Sequence, residues 1–155
     1  MTAIYVDADA CPVKAEVLRV ATRHGVDIHM VSNSWMRLDD SPLIHRVVVS
    51  DGFDAADDWI VENIAAGDVA ITSDIPLAAR CLEKGAEVIG PTGRPFNGDN
   101  IGSALATRDL MSHLRDIGEV RGGGPPFSKG DRSQFLQELE KILHKIKRQG
   151  VGNAP

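Results

Sequence analysis

Short apolar runs alternate with longer amphipathic stretches along this chain, the pattern of strand-helix-strand units in a parallel sheet. The first run, Ile4 to Val6, consists of good strand formers. A helical pattern follows from about Pro12 to His24, with Val13, Val17, Val20 and Ala21 on one face, proline in the first turn and Gly25 as a stop. Strands are predicted at Ile28 to Val31 and Arg46 to Val49, then a helix from about Asp54 to Ala66 and a strand over Asp68 to Asp74. A helix over residues 75–85 and a strand over residues 87–90 complete three alternations, which imply a doubly wound α/β layer. A long helix is predicted from about Asn100 to Ile117, with Asp99 as its cap. A final helix carries the stripe Phe135, Leu139, Ile142, Leu143 and Ile146, and Asp131 with Gln134 resembles a capping pair at its start. That stripe must dock on the core or on another chain, and the second choice would make a homo-oligomer.

A length of 155 residues with 43% hydrophobic content suits one core and is short for two domains. The expected division is an α/β core over 1–120, then residues 121–155 as a Gly/Pro-rich loop at 121–130 and a basic helix. No run is long enough to span a bilayer and no secretory leader is visible, so no membrane association and a cytoplasmic location are expected. Cys11 and Cys81 lack metal-ligand spacing and are expected to stay reduced. The net charge of −5 argues against a generally basic nucleic-acid coat, yet it conceals an asymmetry. Residues 1–120 hold 10 Lys+Arg against 19 Asp+Glu, whereas residues 121–155 hold 7 against 3.

The candidate chemistry lies in the acids. Asp is depleted in strands and costly to bury unpaired, yet Asp7 and Asp9 stand where the first strand ends, and Asp74 ends a later one. Function in an open parallel sheet collects at the carboxyl ends of its strands, which places all three on one edge. Helical geometry adds a fourth. With Asp57 at 0° and about 100° per residue, Val61 falls at about 40° and Ile64 at about 340°, so Asp57 points along the inward stripe. Asp54 and Asp58 flank that stripe, where acids stabilise a helix N-terminus through its dipole. Carboxylates gathered at one edge repel unless a cation neutralises them, and oxygen donors without His or Cys suit Mg²⁺ or Mn²⁺. Capping of the first helix accounts for Asp7 or Asp9 singly, not for all four acids together.

The blocks "VDADACPVK", "GFDAAD", "GDVAITSDIPLA", "KGAEVIGPTG" and "GGGPPFSKGDR" closely resemble the bacterial YaiI/YqxD family, whose domain is grouped with PIN-like folds. The resemblance runs from Ile4 to the last helix and implies a PIN-like three-layer α/β sandwich with a mostly parallel central sheet and a C-terminal helical tail. PIN-like nucleases carry an acid after the first strand, one on a central helix and a Thr-x-Asp motif after a later strand. Those positions correspond here to Asp7 with Asp9, to Asp57, and to Thr72 with Asp74. The resemblance implies a metal-dependent, ribonuclease-like site that hydrolyses phosphodiester bonds, with RNA as the expected partner.

Supporting roles are assigned on weaker signals. Thr72 is expected to orient the Asp74 carboxylate, or to serve only as a good strand residue. Asn33 either faces the site or forms a turn. Asp54 is grouped with the supporting residues. Arg108 lines up with Ile101, Ala104, Leu105 and Met111, so its head either reaches an acid or phosphate or snorkels outward. Lys14, in a first helical turn, and the tail residues Lys129 and Arg132 are candidate phosphate contacts, although a charge run is also an ordinary solvated face. The five histidines are scattered and none is assigned to chemistry. Stacking aromatics interleaved with basic residues are not visible.

Two rival readings use the same residues. A strand followed by Asp-x-Asp also opens haloacid-dehalogenase-type phosphatases, with Asp7 as nucleophile and Asp9 as general acid. Cys11 and the lack of a suitable lysine motif depart from that pattern. The other rival is a non-catalytic RNA-binding module that keeps the fold without the reaction.

Overall fold

A computed structural model describes residues 2–50, 52, 54–118 and 126–152. In chain order the strands are β1 (Ala3–Asp7), β2 (Asp27–Ser32), β3 (Ile44–Val48), β4 (Val69–Ile71), β5 (Glu87–Ile89) and β6 (Pro95–Phe96). The helices are α1 (Lys14–His24), α2 (Ala55–Asn63), α3 (Ile75–Glu83), α4 (Ile101–Asp116) and α5 (Lys129–Gly152). The strands form one sheet in the order β3-β2-β1-β4-β5-β6, parallel throughout except for β6.

The two-residue period of the strands sorts the core into two layers. Ile4 and Val6 of β1 face a cluster completed by Val17 and Val20 of α1 and by Phe135, Leu139 and Leu143 of α5. Tyr5 faces the other way, toward Ile60 of α2, Leu77 and Ala78 of α3 and Ala104 of α4. Helices thus cover both faces of a mostly parallel sheet, an α/β arrangement consistent with a PIN-like sandwich.

The apolar stripe of α5 docks on the protein's own core. Phe135 and Leu139 are fully buried, and burial of side chains of this size contributes about 1.5–3 kcal/mol each. The expected Asp131–Gln134 cap is replaced by a capping box one turn earlier: the Ser128 N–H donates to Asp131 Oδ2 at 3.0 Å and the Asp131 N–H to Ser128 Oγ at 3.1 Å. Asp99 does not cap α4 with its side chain. Asn97 Oδ1 takes the N–H groups of Asp99 and Asn100, while Asn100 Oδ1 takes that of Asn97.

Other departures are local. Residues Ala8–Ala10 form a 3-10 turn, so α1 starts at Lys14 rather than Pro12. The antiparallel edge strand β6 was not predicted, because two residues beginning with proline carry no readable alternation. Gly25 ends α1 in the left-handed conformation, at φ 67°, as its position suggested. Cys11 and Cys81 are free and buried in opposite layers. Residues 121–125 of the Gly/Pro-rich loop expected at 121–130 lie outside the described residues. Among the described residues, no helix is long and apolar enough to cross a membrane.

Candidate functional site

The strand order reverses beside β1. From β1 the chain moves outward to β2 and β3 and then returns to β4 on the other side. Ligands in open α/β sheets bind in the crevice at such a switch point, outside the carboxyl ends of the strands. Asp7 is the last residue of β1, Thr72 and Asp74 follow β4, and Asp57 lies in the first turn of α2. Three separate elements therefore deliver acids to one crevice.

Thr72 joins two of them. Its buried hydroxyl donates to Asp7 Oδ2 at 3.0 Å and accepts the Asp74 N–H at 2.9 Å. This corrects the expected role: Thr72 orients the Asp7 carboxylate and the Asp74 backbone, not the Asp74 carboxylate. Asp74 itself is the N-cap of α3, with Oδ1 accepting the Leu77 N–H at 3.0 Å. Its other oxygen takes no part in the cap.

Mutual repulsion is visible in the acids' proton affinities. Burial, then the charges of Asp74, Asp7 and Asp54, push the Asp57 carboxyl up to about 6, against a partial opposing effect of Arg80. The Asp7 carboxyl is also raised, first by burial and then by Asp74 and Asp9, with the Thr72 hydrogen bond opposing. Arg80 is itself engaged with exposed Asp58 at 2.9 Å, so it neutralises the crevice only in part. Asp57 is half-buried, next to the buried face of α2 formed by Ala56 and Ile60.

Two of the predicted acids lie farther out. Asp9 is exposed at the rim, where Oδ2 accepts the backbone N–H of Asn33 at 3.0 Å. Asn33, expected either to face the site or to form a turn, makes this contact with Asp9 through its main chain. Asp54 occupies the N-cap position of α2 at φ 60°, makes no side-chain cap bond and is exposed. Among the described residues, the one set of three potential ligand atoms lying within 4.8 Å of one another is His24, Glu140 and His144, not a set of these aspartates.

The predicted basic contacts divide sharply. Lys14 Nζ donates to the Cys11 carbonyl at 3.0 Å and so ties down the turn after β1 instead of joining the acids. Arg132 donates to the Pro12 carbonyl and to Glu16, each at 2.9 Å, and covers the Phe127 ring at 4.8 Å. It fastens α5 to α1 and is not free to steer a strand. Lys129 is exposed at the start of α5. Arg108 is half-exposed, 3.6 Å from Asp109, and lines a cleft of about 270 Å³ with Arg94, Thr107, Arg115 and Ile75. Ile75 directly follows Asp74, so this cleft opens beside the acids. No acid is among its lining residues.

Sequence reasoning missed Arg94, Arg115 and Trp35. Arg115 lies seven residues after Arg108, and that spacing repeats one helix face, a usable signal. The placement of Arg94 depends on the turn before β6 and had no signature. Trp35, on the segment after Asn33, is 67% exposed with the Arg46 guanidinium 4.9 Å above its ring. A further acid is structural: buried Asp68 accepts the N–H groups of Ala3 and Ala65, both at 3.0 Å, at the opposite edge of the sheet.

The Uncharacterized BCR, YaiI/YqxD family matches residues 5–145, a span that includes every acid of the crevice. The chain belongs to the YaiI/YqxD family. A UPF0178 protein of Parvibaculum lavamentivorans is 60% identical to it over 96% of this chain and 97% of its own length. UPF0178 proteins of Paramagnetospirillum magneticum and Agrobacterium fabrum are 55% and 54% identical, over 96% and 94% of this chain and 98% and 95% of theirs. No solved structure matches. For a YaiI/YqxD chain the family's description specifies no activity, and the chemistry has to be argued from the crevice.

Proposed function

We propose that this YaiI/YqxD protein is a metal-dependent phosphodiesterase acting on RNA, with Asp7, Asp57 and Asp74 as its central acids and Asp9 at the rim. The observation that carries this reading is the accumulation of unneutralised carboxylates at the switch point, two of them with raised proton affinity. A hard divalent cation fits that donor set, which offers oxygens alone. Asp7, Asp57 and Asp74 would hold Mg²⁺ or Mn²⁺, and Asp9 would reach it from the rim. The ion, when bound, supplies charge neutralisation and a more acidic water.

The chain's own groups do the positioning. Thr72 fixes the Asp7 carboxylate, and the α3 cap leaves one Asp74 oxygen facing away from the helix turn. The cleft containing Arg94, Arg108 and Arg115, which Ile75 also lines, offers guanidinium groups to phosphate oxygens. Trp35 presents an open aromatic face on the segment that holds Asp9, suited to a single-stranded base. Lys14 and Arg132, bound within the fold, are not part of this surface.

The separation of the carboxylates favours one alternative, a module that binds RNA in the arginine cleft without cleaving it. Calorimetric titration of Mn²⁺ into metal-stripped protein, with cleavage of labelled single-stranded RNA read in parallel, separates the two. Wild type is expected to bind Mn²⁺ and cleave, and Asp74→Asn, which can still cap α3, is expected to lose both. Absence of Mn²⁺ binding by wild type at millimolar metal defeats the enzymatic reading. Salt-sensitive RNA binding without cleavage would then establish the module.

A further inference from the structure

We propose that His24, Glu140 and His144 form a second metal site, selective for zinc, at the edge of the sheet opposite the aspartates. His24 is the last residue of α1, and Glu140 and His144 stand one turn apart on the facing side of α5. His24 Nε2 lies 2.7 Å from Glu140 Oε2, and His144 Nε2 lies 3.5 Å from the same oxygen. Zinc bonds of about 2.0–2.2 Å in a tetrahedral shell place neighbouring ligand atoms about 3.4 Å apart, so small side-chain rotations suffice. Two imidazoles and a carboxylate suit zinc, whereas the all-oxygen crevice suits Mg²⁺ or Mn²⁺.

Burial and access support the same assignment. The His24 side chain is 4% exposed, and its ring meets that of His144 edge-on at 5.1 Å, so one ligand is held in place. His144 is 64% exposed and leaves room for a water as fourth ligand. Glu140 Oε1 is buried and lies 2.9 Å from the Arg23 guanidinium as an ion pair.

Two features limit the affinity. Arg23 competes with a cation for Glu140. His24 Nδ1 is buried with no partner, so no acceptor awaits the proton that metal binding at Nε2 places there. Loss of such a supporting hydrogen bond typically weakens metal sites about 10–100-fold.

The test is Zn²⁺ calorimetry and Co²⁺ absorption on the full chain carrying Asp74→Asn, which weakens competition from the aspartates. One Zn²⁺ per chain is expected to bind, Co²⁺ is expected to show an intense tetrahedral visible band, and Zn²⁺ is expected to raise the melting temperature. Adding His144→Ala, an exposed change compatible with folding, is expected to weaken zinc binding by about tenfold or more. Adding Arg23→Ala is expected to tighten it, a response that a purely structural ion-pair cluster would not give. Absence of zinc binding at micromolar concentrations, or equal affinity with and without His144→Ala, overturns the proposal. Neither result bears on the aspartate crevice, which is tested by Mn²⁺.

Discussion

Replacing Asp57 by asparagine removes the charge that the crevice opposes most. In the metal-free protein its carboxyl titrates at about 6 instead of 3.8. Between those values the folded chain keeps a proton that the unfolded chain has released, so stability falls as pH rises through the window and the full penalty is present above it. At 1.36 kcal/mol per pH unit, a fully shielded carboxyl would cost about 3 kcal/mol. Asp57 is only partly buried, and screening by water reduces that to about 1 kcal/mol. Asp57→Asn is nearly isosteric and abolishes the penalty. With metal chelated at pH 7.5, the variant is expected to melt about 2–4 °C above wild type, the shift that 1 kcal/mol produces in a chain of this size. At pH 4, where the wild-type carboxyl is largely protonated, the two should melt together. Thermal unfolding followed by circular dichroism at both pH values is the assay. A variant less stable than wild type at pH 7.5, or a gain equal at both pH values, would refute the argument from repulsion. Added Mn²⁺ should reverse the order at pH 7.5, since the wild type then gains a ligand that the variant binds less well.

Three further outcomes follow from particular contacts. Thr72→Val leaves the Asp74 N–H without its acceptor in a buried position, so a loss of about 1–3 kcal/mol is expected in urea unfolding, together with weaker Mn²⁺ binding. Thr72→Ser should restore both. Gly93→Ala places a Cβ 2.7 Å from the Gln134 carbonyl carbon at φ +86°, and the φ strain of about 1–2 kcal/mol plus that clash should lower the melting temperature by at least about 4 °C. Arg108→Glu with Arg115→Glu should leave stability within about 0.5 kcal/mol, because both are surface groups. The pair should flatten the salt dependence of single-stranded RNA binding by about 1.4 in log-log slope if each contacts one phosphate, and an unchanged slope removes the cleft from the binding surface.

The sequence by itself determined the strands β1 to β5 and the five helices. Short apolar runs such as Ile4 to Val6 and the α1 stripe encode which surfaces are buried, and burial is what fixes elements of that length. The fixed angular step of a helix put Asp57 beside the apolar stripe, and Asp57 is half-buried there. The carboxyl ends of the predicted strands placed Asp7, Asp9 and Asp74 on one edge, whereas the strand order that makes this edge a switch point came from the packed sheet. Tertiary structure decided what no local period encodes. The pairing of Thr72 with Asp7 spans 65 positions, and that of His24 with Glu140 spans 116. Arg132 and Lys14 carry the same charge as Arg108, yet backbone carbonyls of the segment after β1 engage them, and the Arg108 cleft has no lining acid. Hydrogen bonds and ion pairs act over a few ångströms of space, so their partners are chosen only when helices and strands pack.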